Sequence, residues 1–349
     1  MQTIPTIIDS MKSSAFRGAA LAFSATLALS ACGSSDSGSG AADDGTLTIV
    51  ASTNVYGDIA QAVAGDGVEV TSIITSAAQD PHEYEATAQD RLALDDADIV
   101  IENGGGYDPF VDTLLDGSDN DPHVISAVEA SGLLPGGDHA EEHDHAEGED
   151  HDHAEGEEHD HAEGEGHEGH NHIEGFNEHV WYDFHTVEHV AEEINAELAE
   201  LDPDNASTYQ ENYDALAAQI EDLEASAESV KETAGGKDAA ITEPVPLYLL
   251  DAVGLTNVTP EEFSEAVEEG ADVPARVLAE TLDLFSAGDV AVLAYNSQTE
   301  DATTEQVREA AEAADVQVVD FTETLPEGMG YVEWMQSNLD ALADSVGGQ

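Results

Sequence analysis

Short runs of β-branched and aliphatic residues alternate along this chain with longer stretches in which apolar side chains recur every three or four positions. Residues 47–52 and 68–75 are β-rich runs, and residues 55–64 between them carry a helical spacing. Residues 98–102 and 123–126 supply two further strands. The rhythm returns in the second half, where residues 239–242, 290–295 and 316–321 read as buried strands and residues 274–285, 304–313 and 331–345 as helices. Alternation of this kind belongs to parallel sheets, because joining two parallel strands takes a crossover long enough to hold a helix. Two such halves predict an α/β chain of two parallel-sheet lobes.

Between the halves, residues 205–233 contain neither Gly nor Pro, and Tyr209, Tyr213, Leu216, Ile220 and Leu223 recur at spacings of three and four. One stripe of this segment can pack while its acidic face stays wet. Asp202-Pro203-Asp204 opens it and Gly235-Gly236 closes it, as helix punctuation should. At ~1.5 Å per residue the helix reaches about 40 Å, long enough to run the length of both lobes as a rigid connection. The expected division is residues 46–204 for the first lobe, 205–236 for the connecting helix and 237–349 for the second lobe.

The N-terminus reads as a leader. Lys12 and Arg17 precede an apolar stretch at 19–29, too short to remain as a bilayer-spanning helix, so residues 1–31 are expected to be a secretion signal in which Met11 begins a conventional leader. Cys32 is the only cysteine, which excludes a disulfide within one chain. Leu29-Ser30-Ala31-Cys32 resembles the bacterial lipobox, and that resemblance implies lipidation of Cys32. The Gly-, Ser-, Ala- and Asp-rich residues that follow make 32–45 a flexible tether, placing a folded domain on the outer face of the cytoplasmic membrane.

Charge changes the picture of partners. Seven Lys and Arg against 77 Asp and Glu leave a net charge of −70, which excludes nucleic acid and anionic membrane surfaces as partners. A salt-adapted surface and a general solubility device are both compatible with it. Ten of the fifteen histidines fall in the repetitive tract 138–172: His139, His143, His145, His151, His153, His159, His161, His167, His170 and His172. Imidazole is a preferred ligand of zinc, copper and nickel, so the tract reads as a polar auxiliary metal-binding loop. A plain acidic linker would not need the histidines.

Three further motifs can build a discrete metal site. Asp80-Pro81-His82-Glu83-Tyr84-Glu85 follows a strand end, where ligands of open α/β sheets bind, and Pro81 restricts the backbone that carries His82. Asn177-Glu178-His179-Val180-Trp181-Tyr182-Asp183 follows the tract. Thr242-Glu243-Pro244 ends the first strand of the second lobe, where a glutamate calls for a partner or a cation. An enzymatic alternative is His185-Thr186-Val187-Glu188-His189, which spells the H-x-x-E-H motif of a zinc-dependent metalloprotease with Glu188 activating water. The opposing account makes His185, Glu188 and His189 the wet face of a helix packed through Val187, Val190, Ile194 and Leu198. A third class is a surface metal buffer or adhesin with several weak sites. Gly104-Gly105-Gly106 runs into Tyr107-Asp108-Pro109 and is not a phosphate loop.

These residues carry a family resemblance. The chain resembles the metal-binding receptors of bacterial zinc and manganese ABC importers, the cluster A-I solute-binding lipoproteins, in Ala51-Ser52-Thr53-Asn54-Val55-Tyr56-Gly57-Asp58-Ile59, in the Asp80 to Glu85 loop, in Ala97-Asp98-Ile99-Val100 with Asn103-Gly104, in Tyr295-Asn296-Ser297-Gln298-Thr299 and in Thr322-Glu323-Thr324-Leu325-Pro326. It covers nearly all of the chain beyond the leader and includes a His-rich insertion in the same place.

The resemblance implies a monomeric binding protein, not an enzyme, with its metal in the cleft between the lobes and an ABC permease and ATPase as partners. His82 and His179 match the two first-lobe histidine ligands. Glu243 stands where zinc-type members have a third histidine and manganese-type members a glutamate. Glu323 falls near the fourth ligand, usually aspartate, with Asp320 as the alternative. Glu178 and Phe184 depart from the family motif by replacing two prolines. The donor set is oxygen-rich, yet affinity rises from manganese toward zinc, so Zn2+ is the expected cargo and Mn2+ or Fe2+ the alternative.

Overall fold

The computed structural model describes residues 46–135, 173, 175–288 and 290–347. The leader, Cys32 and the ten-histidine tract lie outside the described residues. The first sheet contains β1 (Thr48–Thr53), β2 (Glu69–Ile74), β3 (Ile99–Glu102) and β4 (His123–Ser126), all parallel, in the order β2-β1-β3-β4. Its helices are α1 (Asn54–Ala64), α2 (Ala88–Asp95), α3 (Phe110–Gly117), α4 (Ala127–Ala130) and α5 (Phe184–Leu201). After α6 (Ala206–Ala234) the second half runs β5 (Asp238–Ile241), α7 (Leu247–Ala252), β6 (Thr256–Asn257), α8 (Glu261–Glu268), α9 (Ala275–Ala287), β7 (Val290–Asn296), α10 (Ala302–Ala313), β8 (Gln317–Phe321) and α11 (Tyr331–Gly347). The second sheet is also parallel and repeats the arrangement as β6-β5-β7-β8. The molecule is therefore the α/β protein of two parallel-sheet lobes that the pattern predicts.

Central strands are apolar on both faces because helices cover both. All seven residues of β7 are buried, as are five of the six in β1, whereas the edge strand β2 alternates exposed and half-buried positions before ending in Ile73 and Ile74. One expectation needs correction. The second sheet has four strands rather than three, the missed one being the two-residue β6, too short to show a period.

The connecting helix starts at Ala206 after Asn205 and stops at Gly235, one residue from the predicted limits at each end. Its stripe of Tyr209, Leu216, Ile220 and Leu223 is buried, and α6 packs against α1 and α5 of one lobe and α7 and α11 of the other. Each such leucine or isoleucine contributes about 1.5–3 kcal/mol by leaving water. One continuous apolar core runs from Ile49, Ile99 and Trp181 through this stripe to Ile241, Phe321 and Leu339, so the two sheets share it.

Polar contacts close the seam between the lobes. Asn54 and Leu325 exchange a pair of bonds, Nδ2 to the carbonyl at 3.2 Å and the Leu325 amide to Oδ1 at 3.0 Å. Tyr331 donates its hydroxyl to the Trp181 carbonyl at 2.8 Å and its amide to Asp58 at 2.7 Å, and the Tyr182 hydroxyl reaches the Thr322 carbonyl at 2.8 Å.

Candidate metal centre

Both parallel sheets direct their C-terminal strand ends to one place, the position where open α/β sheets carry ligands. His82 lies in the loop after β2, where Pro81 is buried and the His82 amide donates to Asp80 Oδ1 at 2.9 Å, closing a tight turn. Its ring meets the edge of Tyr107 at a centroid distance of 4.9 Å. Tyr107 is held by the glycine loop after β3: Gly104, Gly105 and Gly106 all have positive φ, and the turn they make lets Asp108 accept from the amides of Asn103 at 2.7 Å and Gly104 at 2.9 Å.

His179 comes from the segment before α5, and only 1% of it is exposed. Its Nδ1 lies 2.7 Å from Asn177 Oδ1; with the proton on Nδ1 donated there, Nε2 carries the lone pair that a metal needs. The Asn177 amide in turn donates to the Pro244 carbonyl at 3.2 Å, and the Tyr248 hydroxyl donates to the Asn177 carbonyl at 2.7 Å, so second-lobe residues orient a first-lobe imidazole. Trp181, buried at 5.2 Å between ring centroids, packs against the same ring. Asp183 starts α5 by accepting from the Thr186 amide at 2.9 Å, although the proline expected near this point is Phe184.

From the second lobe, Glu243 follows β5 and Glu323 follows β8, and 3% and 2% of them are exposed. Asn296, the last residue of β7, donates its side-chain amide to both, at 2.7 Å to Glu243 Oε2 and 2.9 Å to Glu323 Oε1. Thr299 adds a short hydroxyl bond to Glu243. A ring nitrogen of His82, one of His179 and a carboxylate oxygen of Glu323 all lie within 4.8 Å of one another. Glu243 stands outside this trio and is tied to it through Asn296. Asp320 does not join them: it is half exposed and bound by Arg308 at 2.7 Å.

Two carboxylates that sequence reasoning did not assign complete the surroundings. Glu268, the last residue of α8, and Glu178, of which 2% is exposed, form with His82 a second group whose ligand atoms lie within 4.8 Å of one another. Glu268 Oε1 is 3.7 Å from His179 Nε2. Burial pushes Glu243 up to about 7 against the pull of its bonds from Thr299 and Asn296. Burial and then the neighbouring Glu243 charge push Glu323 up to about 8. Burial and then the charges of Glu178, Glu243 and Glu323 push Glu268 up to about 10. The described Lys and Arg are engaged elsewhere: Arg91 with Asp95, Lys231 with Glu228, Lys237 with the Val346 carbonyl, Arg276 with Glu262 and Glu280, and Arg308 with Asp320. A buried cluster of this sign is satisfied by protons or by a cation with two or more charges.

The protease alternative fails on geometry. His185 and His189 are exposed on α5 and held by different neighbours, with His185 Nδ1 3.7 Å from Glu224 on α6 and His189 Nδ1 3.1 Å from the Ala130 carbonyl of α4. Val187, Val190, Ile194 and Leu198 are buried, so H-x-x-E-H is the wet side of an amphipathic helix.

Two parallel α/β lobes thus bring imidazoles from one and carboxylates from the other to a shared set of strand ends, the architecture of a two-lobed binding protein. The chain belongs to the family described as zinc-uptake complex component A, periplasmic, whose model matches residues 49–345. It is 28% identical over 319 residues to the zinc-binding lipoprotein AdcA of Streptococcus pneumoniae, a match covering 87% of this chain and 56% of that protein. It thus spans little more than half of AdcA. With the manganese ABC transporter substrate-binding lipoprotein ScaA of Streptococcus gordonii it shares 25% identity over 339 residues, 92% of this chain and 96% of the relative. The solved structure of the periplasmic zinc binding protein TroA from Treponema pallidum matches with a TM-score of 0.65 at 17% identity, over 86% of this chain and 99% of the other, a likeness of fold.

Proposed function

We propose that this protein is the extracytoplasmic receptor of an ABC importer, capturing a divalent transition metal between its lobes and delivering it to a membrane permease with its ATPase. The observation that carries the reading is the convergence of His82, His179 and Glu323 from three separate segments onto one buried point. In this reading His82 and His179 supply neutral nitrogen, and Glu323, with Glu243 beside it, supplies the negative charge that neutralises the dication. Asn296 keeps both carboxylates aimed while the site is metal-free.

Zinc is the cargo favoured by affinity order and by the zinc-binding relatives. Three carboxylates grouped with two imidazoles, Glu178, Glu268 and Glu323, support manganese as the second reading, with ferrous iron sharing its preference for oxygen. Lipid on Cys32 would hold the domain at the outer face of the membrane, in keeping with the name lipoprotein borne by AdcA and ScaA. Among the described residues no helix is long and apolar enough to cross a membrane. The histidine tract serves as an auxiliary collector.

Calorimetric titration of Zn2+ and Mn2+ into metal-free protein lacking residues 138–172 tests the assignment. One tight site abolished by His82→Ala supports the receptor, and tight manganese with weak zinc moves the cargo to manganese. Loss of all tight binding on deleting the tract would leave a metal buffer and overturn it.

A further inference from the structure

The cavity beside the site has a polarity that the three-residue centre does not explain. It encloses about 420 Å³ and is lined by His82 and Glu268 together with Asp80, Glu83, Glu269, Asp272 and Glu300, with neither Lys nor Arg among its lining residues. His179 and Glu323, 1% and 2% exposed, do not line it, so His82 and Glu268 are the two donors that face both the cavity and the buried centre.

Glu268 is an uncomfortable residue where it stands. It ends α8, where carbonyl dipoles oppose a carboxylate, with Glu265 and Glu269 close by in the chain and no basic residue in the last turn. Its Oε1 is buried and accepts no hydrogen bond. Helix packing gives no reason for an acid there, whereas a passing cation does.

The two candidate donor groups, His82 with His179 and Glu323, and His82 with Glu178 and Glu268, are separate sets with His82 in common. From this geometry we infer a second metal position, held by His82, Glu178 and Glu268, through which a divalent cation passes between the acidic cavity and the buried centre. An ion moving between the two positions keeps one imidazole throughout and exchanges its other ligands in steps, so it is never stripped of all its donors at once. The inference rests on the receptor reading and adds the entry and exit route to it.

The test is stopped-flow mixing of Zn2+, and separately Mn2+, with metal-free full-length protein in which Trp334→Phe leaves one tryptophan, followed by the fluorescence of Trp181, whose ring lies 5.2 Å from His179 and so reports the buried centre rather than the histidine tract. A shared route predicts that Glu268→Gln and Glu178→Gln each slow association and dissociation together, by about tenfold, while the ratio of the two rate constants changes far less. Glu265→Gln, exposed on α8 and outside the cavity lining, is expected to leave both near the parent values, separating a coordination step from a general loss of negative charge on this helix. Parent-like rates in both site variants would overturn the second position, as would faster dissociation with unchanged association, the sign of ordinary ligands of the buried centre. A parent protein whose Trp181 signal and calorimetry show no metal binding would instead remove the receptor reading itself. Thermal unfolding of each variant within a few degrees of the parent identifies chains fit for the comparison, and the two glutamates give independent variants.

Discussion

Replacing Glu323 by Gln in the metal-free protein should make its stability less sensitive to pH, in a direction set by burial. The carboxyl is raised from 4.5 to about 8 in the folded state because burial, and then Glu243, disfavour its charge. Between those two values the folded protein holds a proton that the unfolded chain has released, so the stabilising contribution present at low pH is lost as pH rises through this window. Each unit is worth about 1.36 kcal/mol, so from pH 5 to pH 8 the ceiling is about 4 kcal/mol, and relaxation around the charge brings the expected value to about 2–4 kcal/mol. Gln is the same shape and cannot ionise. Urea unfolding at pH 5 and pH 8 in the presence of a chelator should therefore show the variant gaining on the parent by that amount at the higher pH. Carboxylates away from the cluster are common to both chains and cancel in the difference, whereas Glu243 and Glu268, which interact with the Glu323 charge, are relieved with it and add to the gain in the same direction. A parent-to-variant difference constant to within about 0.5 kcal/mol would refute the claim that an uncompensated buried charge sits at Glu323, given that errors of this size accompany additive comparisons. Saturating Zn2+ at pH 8 should reverse the order, because the ion neutralises the charge that Gln lacks.

Three further outcomes follow from the same geometry. Asp320→Asn, which breaks only the half-exposed pair with Arg308, should shift stability by less than about 1 kcal/mol and leave metal affinity unchanged by calorimetry; a large loss of affinity would return Asp320 to the ligand set. Tyr331→Phe removes the hydroxyl that spans the seam to the Trp181 carbonyl and should lower unfolding free energy by about 1–2 kcal/mol in urea titration, an effect that vanishes if water replaces the bond. With a net charge of −70, the melting temperature should rise by several degrees as NaCl is raised and the screening length falls from roughly 14 Å toward roughly 4 Å, and a flat response would mean that surface repulsion is unimportant.

The fold was legible where burial is strongest. Strands such as β1 and β7 are apolar on both faces, and α6 carries an uninterrupted stripe between clear stop signals, so pattern alone finds them. The short pieces α2, α3, α4, α7, β6 and α8 are the ones it misses, because two to eight residues are too few to display a period. At the site, His82, His179 and Glu243 are visible because histidine and glutamate at strand ends or beside proline ask for an explanation. The roles of Asn296 and Glu268 are not. Asn296 is one polar residue at the end of an apolar strand, a signal present but unspecific, and Glu268 is one of 77 acids, buried only by the way α8 meets the cavity. The choice between Asp320 and Glu323 likewise depends on the face each occupies: Asp320 sits on the exposed face of β8 beside Arg308, whereas Glu323, two residues past the end of the strand, turns inward.

The division of the proposed donors between the lobes bears on how such a protein can change over generations. Both imidazoles belong to segments that pack on the first sheet, while Glu243, Glu323 and the Asn296 that aims them end strands of the second. Substitutions confined to three strand ends of one half can thus exchange oxygen for nitrogen without touching the other half or its core. Under the receptor reading proposed above, selection for a different metal, or a laboratory library built for the same purpose, has a short stretch of sequence space to cross, with both histidines left in place throughout.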